Sequence, residues 1–220
     1  MIDYSFHWGP VWKAMPALLK GAQITLEITV LSMIIGTILA VFLALGRQSK
    51  NKTVYGLVTG WVELARNTPS LFQMYMAYFG LGTIGLHLDS YTAVLSALAF
   101  NNAGYLAEVL RGGFNAVPKT QMAAARSLGM NPFQAYSRVI LPQVFRVVFY
   151  PATNQMMWAL LNSSLGMIVG LKELTGATAF QQSLTFRSFE FFFAAAVMYY
   201  VIAKIVTMGA RLAARRLFRG

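Results

Sequence analysis

The feature that most constrains this chain is a series of apolar blocks, each close to the length of a bilayer crossing. They lie at about residues 24–45, 54–81, 91–110, 147–171 and 191–208. About 20 apolar residues are needed to cross a hydrocarbon core of about 30 Å. Within lipid every backbone N–H and C=O must be paired inside the segment, which a helix does by itself. The expected fold is therefore an all-α polytopic membrane protein of about five transmembrane helices, a single transmembrane domain over residues 1–220. A hydrophobic share of 57% against 11% charged residues agrees with that.

Charge sets the orientation. The formal net charge of +11 would suit a nucleic-acid partner, but no soluble module is left to hold one, and the cations are one-sided. Arg47, Lys50 and Lys52 follow the first block; Arg111, Lys119, Arg126, Arg138 and Arg146 follow the third; Arg211, Arg215, Arg216 and Arg219 follow the fifth. The loop at 82–90 carries His87 and Asp89 without a Lys or Arg. Lys and Arg accumulate in cytoplasmic loops, so the N-terminus is expected outside and the C-terminus in the cytoplasm. Residues 1–20, with Trp8, Trp12, Lys13 and Lys20, read as an interfacial segment and not as a cleavable signal. With no cysteine, and only His7 and His87 as histidines, no disulfide and no metal site is expected.

Two polar interruptions carry the chemistry. The first breaks the second block at Arg66-Asn67-Thr68-Pro69. Pro69 lacks a donor and disfavours helix at Thr68; Arg66 is too costly to face lipid and should face protein or a polar cavity. The second is the basic stretch at 117–142. Pro118 suits a helix start, Gly129 suits a left-handed C-terminal cap, and Asn131 with Pro132 suits the start of a second short helix running toward Leu141 and Pro142. Two short helices joined at a glycine, outside the bilayer, form a docking surface.

This stretch resembles the cytoplasmic signature loop of binding-protein-dependent ABC importer permeases: Glu-Ala-Ala, three residues, Gly, nine residues, then Ile-x-Leu-Pro. Gly129, the nine residues 130–138, and Val139-Ile140-Leu141-Pro142 fit the spacing. Where the family has Glu this chain has Ala123, followed by Ala124 and Ala125, with Arg126 next. Three further stretches are similar to family blocks. Arg66, Thr68, Pro69, Leu71 and Gln73 match Arg-x-Thr-Pro-x-Leu-x-Gln. Tyr105, Glu108, Arg111 and Gly112 match Tyr-x-x-Glu-x-x-Arg-Gly. Leu161 to Leu165, then Glu173-Leu174-Thr175, match Lys-Asp/Asn-Thr/Ser-Ser-Leu and Glu-Leu-Thr. The resemblance spans about residue 21 to the C-terminus. It implies a type I importer permease in a bacterial inner membrane. It also implies a partner ATPase docking on 117–142, an external amino-acid-binding protein, and a second permease copy or sister permease. No G-x-x-x-x-G-K-[ST] stretch occurs, so ATP and Mg belong to the partner and no catalytic residue is expected here.

In the polar amino-acid branch the resemblance implies that Asn162, Ser163 and Ser164 face the substrate path. The alternative is interhelical hydrogen bonding beside the small residues Gly166 and Gly170. Asn101 and Asn102 either line the path with Gln73 or bond neighbouring helices, since an unpaired buried amide is costly. Glu108 and Arg111, three apart, can pair on one helical face. Glu27, close to an interface, reads as a snorkelling or packing residue. Leu161 stands where the family often has Lys, and Asn162 where it often has Asp. Loss of that carboxylate removes the attraction for a cationic side chain, so an acidic or neutral amino acid is favoured over a basic amino acid or opine. A different class, an ion-coupled secondary transporter using Glu27, Asp89 or Glu108, would need carboxylates near the membrane midplane.

Overall fold

The computed structural model describes residues 4–218; Arg219, counted above in the basic tail, lies outside them. The described residues form nine α-helices joined by short π and 3-10 turns, with no strand among them. They are α1 (Gly9–Gly46), α2 (Lys52–Asn67), α3 (Ser70–Tyr75), α4 (Ser90–Ala116), α5 (Lys119–Ser127), α6 (Pro132–Ala135), α7 (Leu141–Asn162), α8 (Leu174–Thr185) and α9 (Ser188–Leu217). Three of these, α1, α4 and α9, are long and apolar enough to cross a membrane on length and composition. The other two expected crossings, 54–81 and 147–171, are interrupted helices. One breaks at Thr68–Pro69, and the other tightens into a 3-10 turn at Ser163–Val169.

The first helix starts fifteen residues earlier than the first apolar block, so the interfacial segment expected at 1–20 is helical from Gly9 onward. The reason is its stripe. Val11, Ala14, Leu18, Gly21, Ala22, Thr25, Ile28, Thr29, Ser32, Gly36, Ala40 and Leu43 are buried at helical spacing, while Lys13 and Lys20 fall on the open side. Residues 172–190, expected as an external connection, contain α8, which packs on α1 and α9. The second short helix of the 117–142 stretch does not stop at Leu141 either. It passes through a π turn at Tyr136–Ile140 straight into α7, whose second residue is Pro142.

The centre of the bundle is the contact of α1 with α4, the most extensive in the molecule. Around it, Leu18, Leu174 and Phe191 join α1, α8 and α9. Ile28, Met74, Leu98 and Val169 join α1, α3, α4 and the 3-10 turn. Ala40, Val62, Ala103 and Leu106 join α1, α2 and α4. Every side chain named here is at most 4% exposed. Where membrane helices pack, close approach of small residues replaces the hydrophobic effect as the driving force. Gly36 shows the limit: a Cβ placed there would lie 2.6 Å from the Asn102 Cβ and 3.3 Å from the Ala99 carbonyl oxygen.

Gly36→Val therefore forces α1 away from α4. The expected outcome is a loss of about 1–3 kcal/mol, the usual cost of overpacking, read as a lowered melting temperature in detergent. Gly60→Val on α2, where nothing lies within 4 Å of the added Cβ, is expected to leave it nearly unchanged.

Candidate functional site

The break in α2 is the starting point of the polar interior. In an unbroken helix the Ala65 carbonyl would accept from the N–H of residue 69, but residue 69 is proline. Two side chains from elsewhere take that role. Gln73 Nε2 donates to Ala65 O at 3.0 Å, and Asn101 Nδ2 donates to the same oxygen at 2.9 Å. Gln73 Nε2 also lies 2.8 Å from Thr68 Oγ1, and Gln73 Oε1 accepts from Asn101 Nδ2 at 3.2 Å. Thr68 Oγ1 donates back to Leu64 O at 2.7 Å, pairing a second carbonyl left over at the helix end. Thr68 and Pro69 thus make the break, and Gln73 and Asn101 mend it.

Asn102 has a separate set of partners. Its Nδ2 donates to Ser32 Oγ at 3.2 Å and its Oδ1 accepts from Gln155 Nε2 at 2.9 Å, so it bonds α1, α4 and α7 together. Asn101 and Asn102 are 2% and 0% exposed. Both side chains are hydrogen-bonded to groups on other helices.

Asn162 is different, because it reaches an open face. It ends α7, is half-buried, accepts from Ser70 Oγ at 3.0 Å, and donates to Trp158 O at 3.0 Å. The Trp158 ring lies 6.1 Å from that of Tyr105, whose hydroxyl donates to Arg66 O. The Arg66 guanidinium stands 5.5 Å over the Tyr105 ring. Ser70, Tyr105, Trp158 and Asn162 are all half-buried, and Arg66 is exposed. Ser163 is fully buried and donates to Leu160 O; Ser164 is half-buried and donates to Leu161 O at 2.6 Å. The open polar face thus comprises Arg66, Ser70, Tyr105, Trp158 and Asn162, with Ser163 turned into the core. Ser70 and Trp158 escaped sequence reasoning: a serine after a proline and a tryptophan in an apolar run carry no distinguishing signal.

Behind this face lies a charge node. Glu108 pairs with Arg111, whose Nη2 is 2.7 Å from Oε2, with Arg66 at 3.7 Å, and with Arg47 at the end of α1. One carboxylate thereby joins the ends of α1 and α2 to α4. The other carboxylates proposed for ion coupling also have local partners: Glu27 accepts from Tyr91 Oη at 2.7 Å, and Asp89 caps α4 through Thr92 N at 2.7 Å. Glu173 was seen in the sequence only as part of a motif. It is fully buried, caps α8 through Thr175 N and Gly176 N, and accepts from Tyr199 Oη at 2.7 Å and from Thr25 Oγ1. An acidic residue directly before a helical run was the available signal.

The second site is the 117–142 stretch. α5 ends in a Schellman motif, in which Met130 N donates to Ala125 O and Gly129 N donates to Arg126 O, with Gly129 at φ +80°. Asn131 and Gln134 then form a reciprocal capping box with Pro132 in the first turn of α6. Pro118 is the N-cap of α5, one residue outside the helix. Ala125 and Ala135 are buried, whereas Ala123, Ala124, Arg126, Gly129, Leu141 and Pro142 are exposed. Leu128 and Phe133 flank the glycine at 80% exposure each. They form an apolar knob pair that motif spacing alone did not single out.

Comparison with known proteins agrees with this architecture. Residues 32–219 match the family described as binding-protein-dependent transport system inner membrane component. The octopine transport system permease protein of Rhizobium meliloti is 35% identical over 198 residues, 86% of this chain and 81% of that protein. The glutamine transport system permease protein of Escherichia coli (strain K12) is 29% identical over 96% of this chain and 98% of its own. A crystal structure of an amino acid ABC transporter superposes with a TM-score of 0.89 at 32% identity, covering 97% of this chain and 100% of that one. An inward-facing methionine ABC transporter, 21% identical with a TM-score of 0.76, shares the fold over 93% of this chain and 98% of its own. The fold is thus that of a type I ABC importer permease. The chain belongs to the family of binding-protein-dependent transport system inner membrane components.

Glu108→Ala leaves Arg47 and Arg66 without their shared counter-charge at a site where the carboxylate is 15% exposed. A loss of about 3 kcal/mol is expected, in the range for breaking a buried pair. Arg111→Ala, at 54% exposure, is expected to cost no more than about 1 kcal/mol. Thermal denaturation of the two variants side by side checks the contrast.

Proposed function

We propose that this permease moves a polar amino acid with an acidic or neutral side chain, such as glutamate, aspartate or glutamine. In this reading it works by alternating access, driven by ATP and Mg bound to a separate ATPase subunit and supplied by an external binding protein. The observation that carries the substrate choice is the open polar face. Its exposed charge is the Arg66 guanidinium, Asn162 is an amide, and Glu108, the carboxylate nearest Arg66, is already shared among three arginines. A cationic substrate side chain would meet a like charge there, and like charges at short range in a low dielectric repel strongly.

The coupling side of the reading rests on Leu128 and Phe133, exposed on either side of a glycine that fixes the angle between α5 and α6. In this function they seat the loop on the ATPase, and a second permease copy or sister permease completes the pathway. A relative named for octopine transport frames the alternative, in which the same subunit serves a basic amino acid or opine. Population shift between outward and inward states then follows the usual rule that a ligand favours the state it binds better.

Reconstitution with the ATPase and a saturating binding protein tests the reading. Wild-type protein is expected to transport glutamate or glutamine in preference to arginine, and Asn162→Asp to cut glutamate uptake about tenfold, the equivalent of ~1.4 kcal/mol. Preferred uptake of arginine or octopine by the wild type would establish the alternative. Uptake along an ion gradient without the ATPase would replace both with ion coupling.

Gly129→Val tests the loop separately. A non-glycine residue at φ +80° costs about 1–2 kcal/mol locally, and nothing lies within 4 Å of the added Cβ. The expected result is a folded permease that no longer co-purifies with the ATPase.

A further inference from the structure

We propose that the seam between the start of α7 and the end of α9 is a binding site for an anionic phospholipid, whose phosphate is held by Arg146, Arg211 and Arg215. The two helices run antiparallel: Thr207 Oγ1 on α9 lies 3.8 Å from Met157 Sδ on α7, and the Phe218 ring lies 5.8 and 5.3 Å from those of Phe145 and Phe149. On α9, Arg211, Ala214, Arg215 and Phe218 recur at three- and four-residue spacing, so they share one helical stripe. Ala214 is buried, and Phe218 packs on α7, which turns that stripe toward α7. From the other side Arg146 stands 6.0 Å over the Phe218 ring. Three guanidinium groups therefore line one seam, and all three are exposed.

Nothing on either helix neutralises them. The seven carboxylate side chains of the sequence are at 3, 27, 63, 89, 108, 173 and 190, none on α7 and none on α9 beyond its first turn. Among the described residues the ion pairs involve Arg47, Arg66, Arg111 and Arg187, and Glu108 is committed to three of those. An uncompensated cluster of like charges favours an anion, and Arg suits a phosphate through paired N–H donors.

The flanks say that the anion is an amphiphile. Tyr150, Met208, Leu212 and Leu217 are each more than half exposed, a lip on which acyl chains can lie. The level is right as well. The exposed aromatic residues Phe189 and Phe193 stand at the opposite end of α9, and the 22 residues from Phe189 to Arg211 rise about 33 Å at 1.5 Å each. That matches a hydrocarbon thickness of about 30 Å, with an aromatic belt at one interface and arginine at the other. Basic pockets between membrane helices on the cytoplasmic side hold anionic headgroups by this chemistry. The assignment to the cytoplasmic leaflet rests on the importer reading; the chemistry of the seam does not.

The test is native mass spectrometry of the full chain, purified in mild detergent and offered equal amounts of phosphatidylglycerol and phosphatidylcholine with identical acyl chains. Wild-type protein is expected to retain phosphatidylglycerol preferentially, and each of Arg146→Gln, Arg211→Gln and Arg215→Gln to reduce that preference about fivefold, corresponding to ~1 kcal/mol per cation near an anionic surface. The charge-matched control Lys50→Gln/Lys52→Gln, on the loop after α1, is expected to leave it unchanged. No preference in the wild type, or an equal loss in the control, would overturn the proposal in favour of diffuse charge. Displacement of the lipid by millimolar inorganic phosphate would overturn it in favour of a soluble anion site. Each single variant is also checked by melting temperature, and a folded set that keeps its preference refutes the site. Because no ATPase or substrate enters the measurement, its failure is distinct from failure of the transport reading.

Discussion

The interior is organised around one carbonyl group that the sequence deprives of its helical partner. Pro69 takes the N–H away from Ala65 O in the middle of a segment where water is scarce, and an unpaired carbonyl there costs several kcal/mol. Gln73 and Asn101 answer it together, one from the helix after the break and one from α4. That pairing brings α3 beside α4 and Ser70 within hydrogen-bonding distance of Asn162. The polar face with Arg66 and Tyr105 exists because the broken helix is repaired from the side and not by its own backbone.

Charge is distributed by the same economy of partners. Where carboxylates are available they are used at junctions: Glu108 ties three helix ends, and Glu173 ties α8 to α1 and α9. From α5 to α7 there is no carboxylate at all, and none follows Glu190. The cations at that end have no carboxylate of their own helices to meet there; Arg126 donates to Met130 O and Arg146 stands over the Phe218 ring instead.

Much of the fold was legible in the sequence because bilayer length and loop charge are strong one-dimensional signals. The break at Thr68–Pro69, the left-handed Gly129 and the Asn131 cap were readable for the same reason, since proline, glycine and asparagine act on their own backbone. What could not be read was pairing across the bundle. Nothing along the chain says that Asn101 belongs to Ala65, Asn102 to Gln155, or Arg47 to Glu108, because these partners lie 36, 53 and 61 residues apart. Helix length was also misjudged. The start of α1 is polar enough on one side to end an apolar block, yet its buried side is a perfect continuation of the stripe. α8 is short, and of the partners of its cap Glu173 only Thr175 and Gly176 are local, while Thr25 and Tyr199 come from other helices.

The unbroken passage from α6 through the π turn into α7 makes Pro132 and Asn162 two ends of a single rod. Its 31 residues span roughly 46 Å at the usual rise. A rod of that kind transmits torque. Val144 and Val148 pack against Val117 along its length, so under the proposed coupling a push on Phe133 would pivot the rod about that contact. The π turn at Tyr136–Ile140, which holds one residue more than an α turn, is the joint that would take up twist, so under the proposed coupling any stroke reaching Asn162 would depend on how stiff those five residues are.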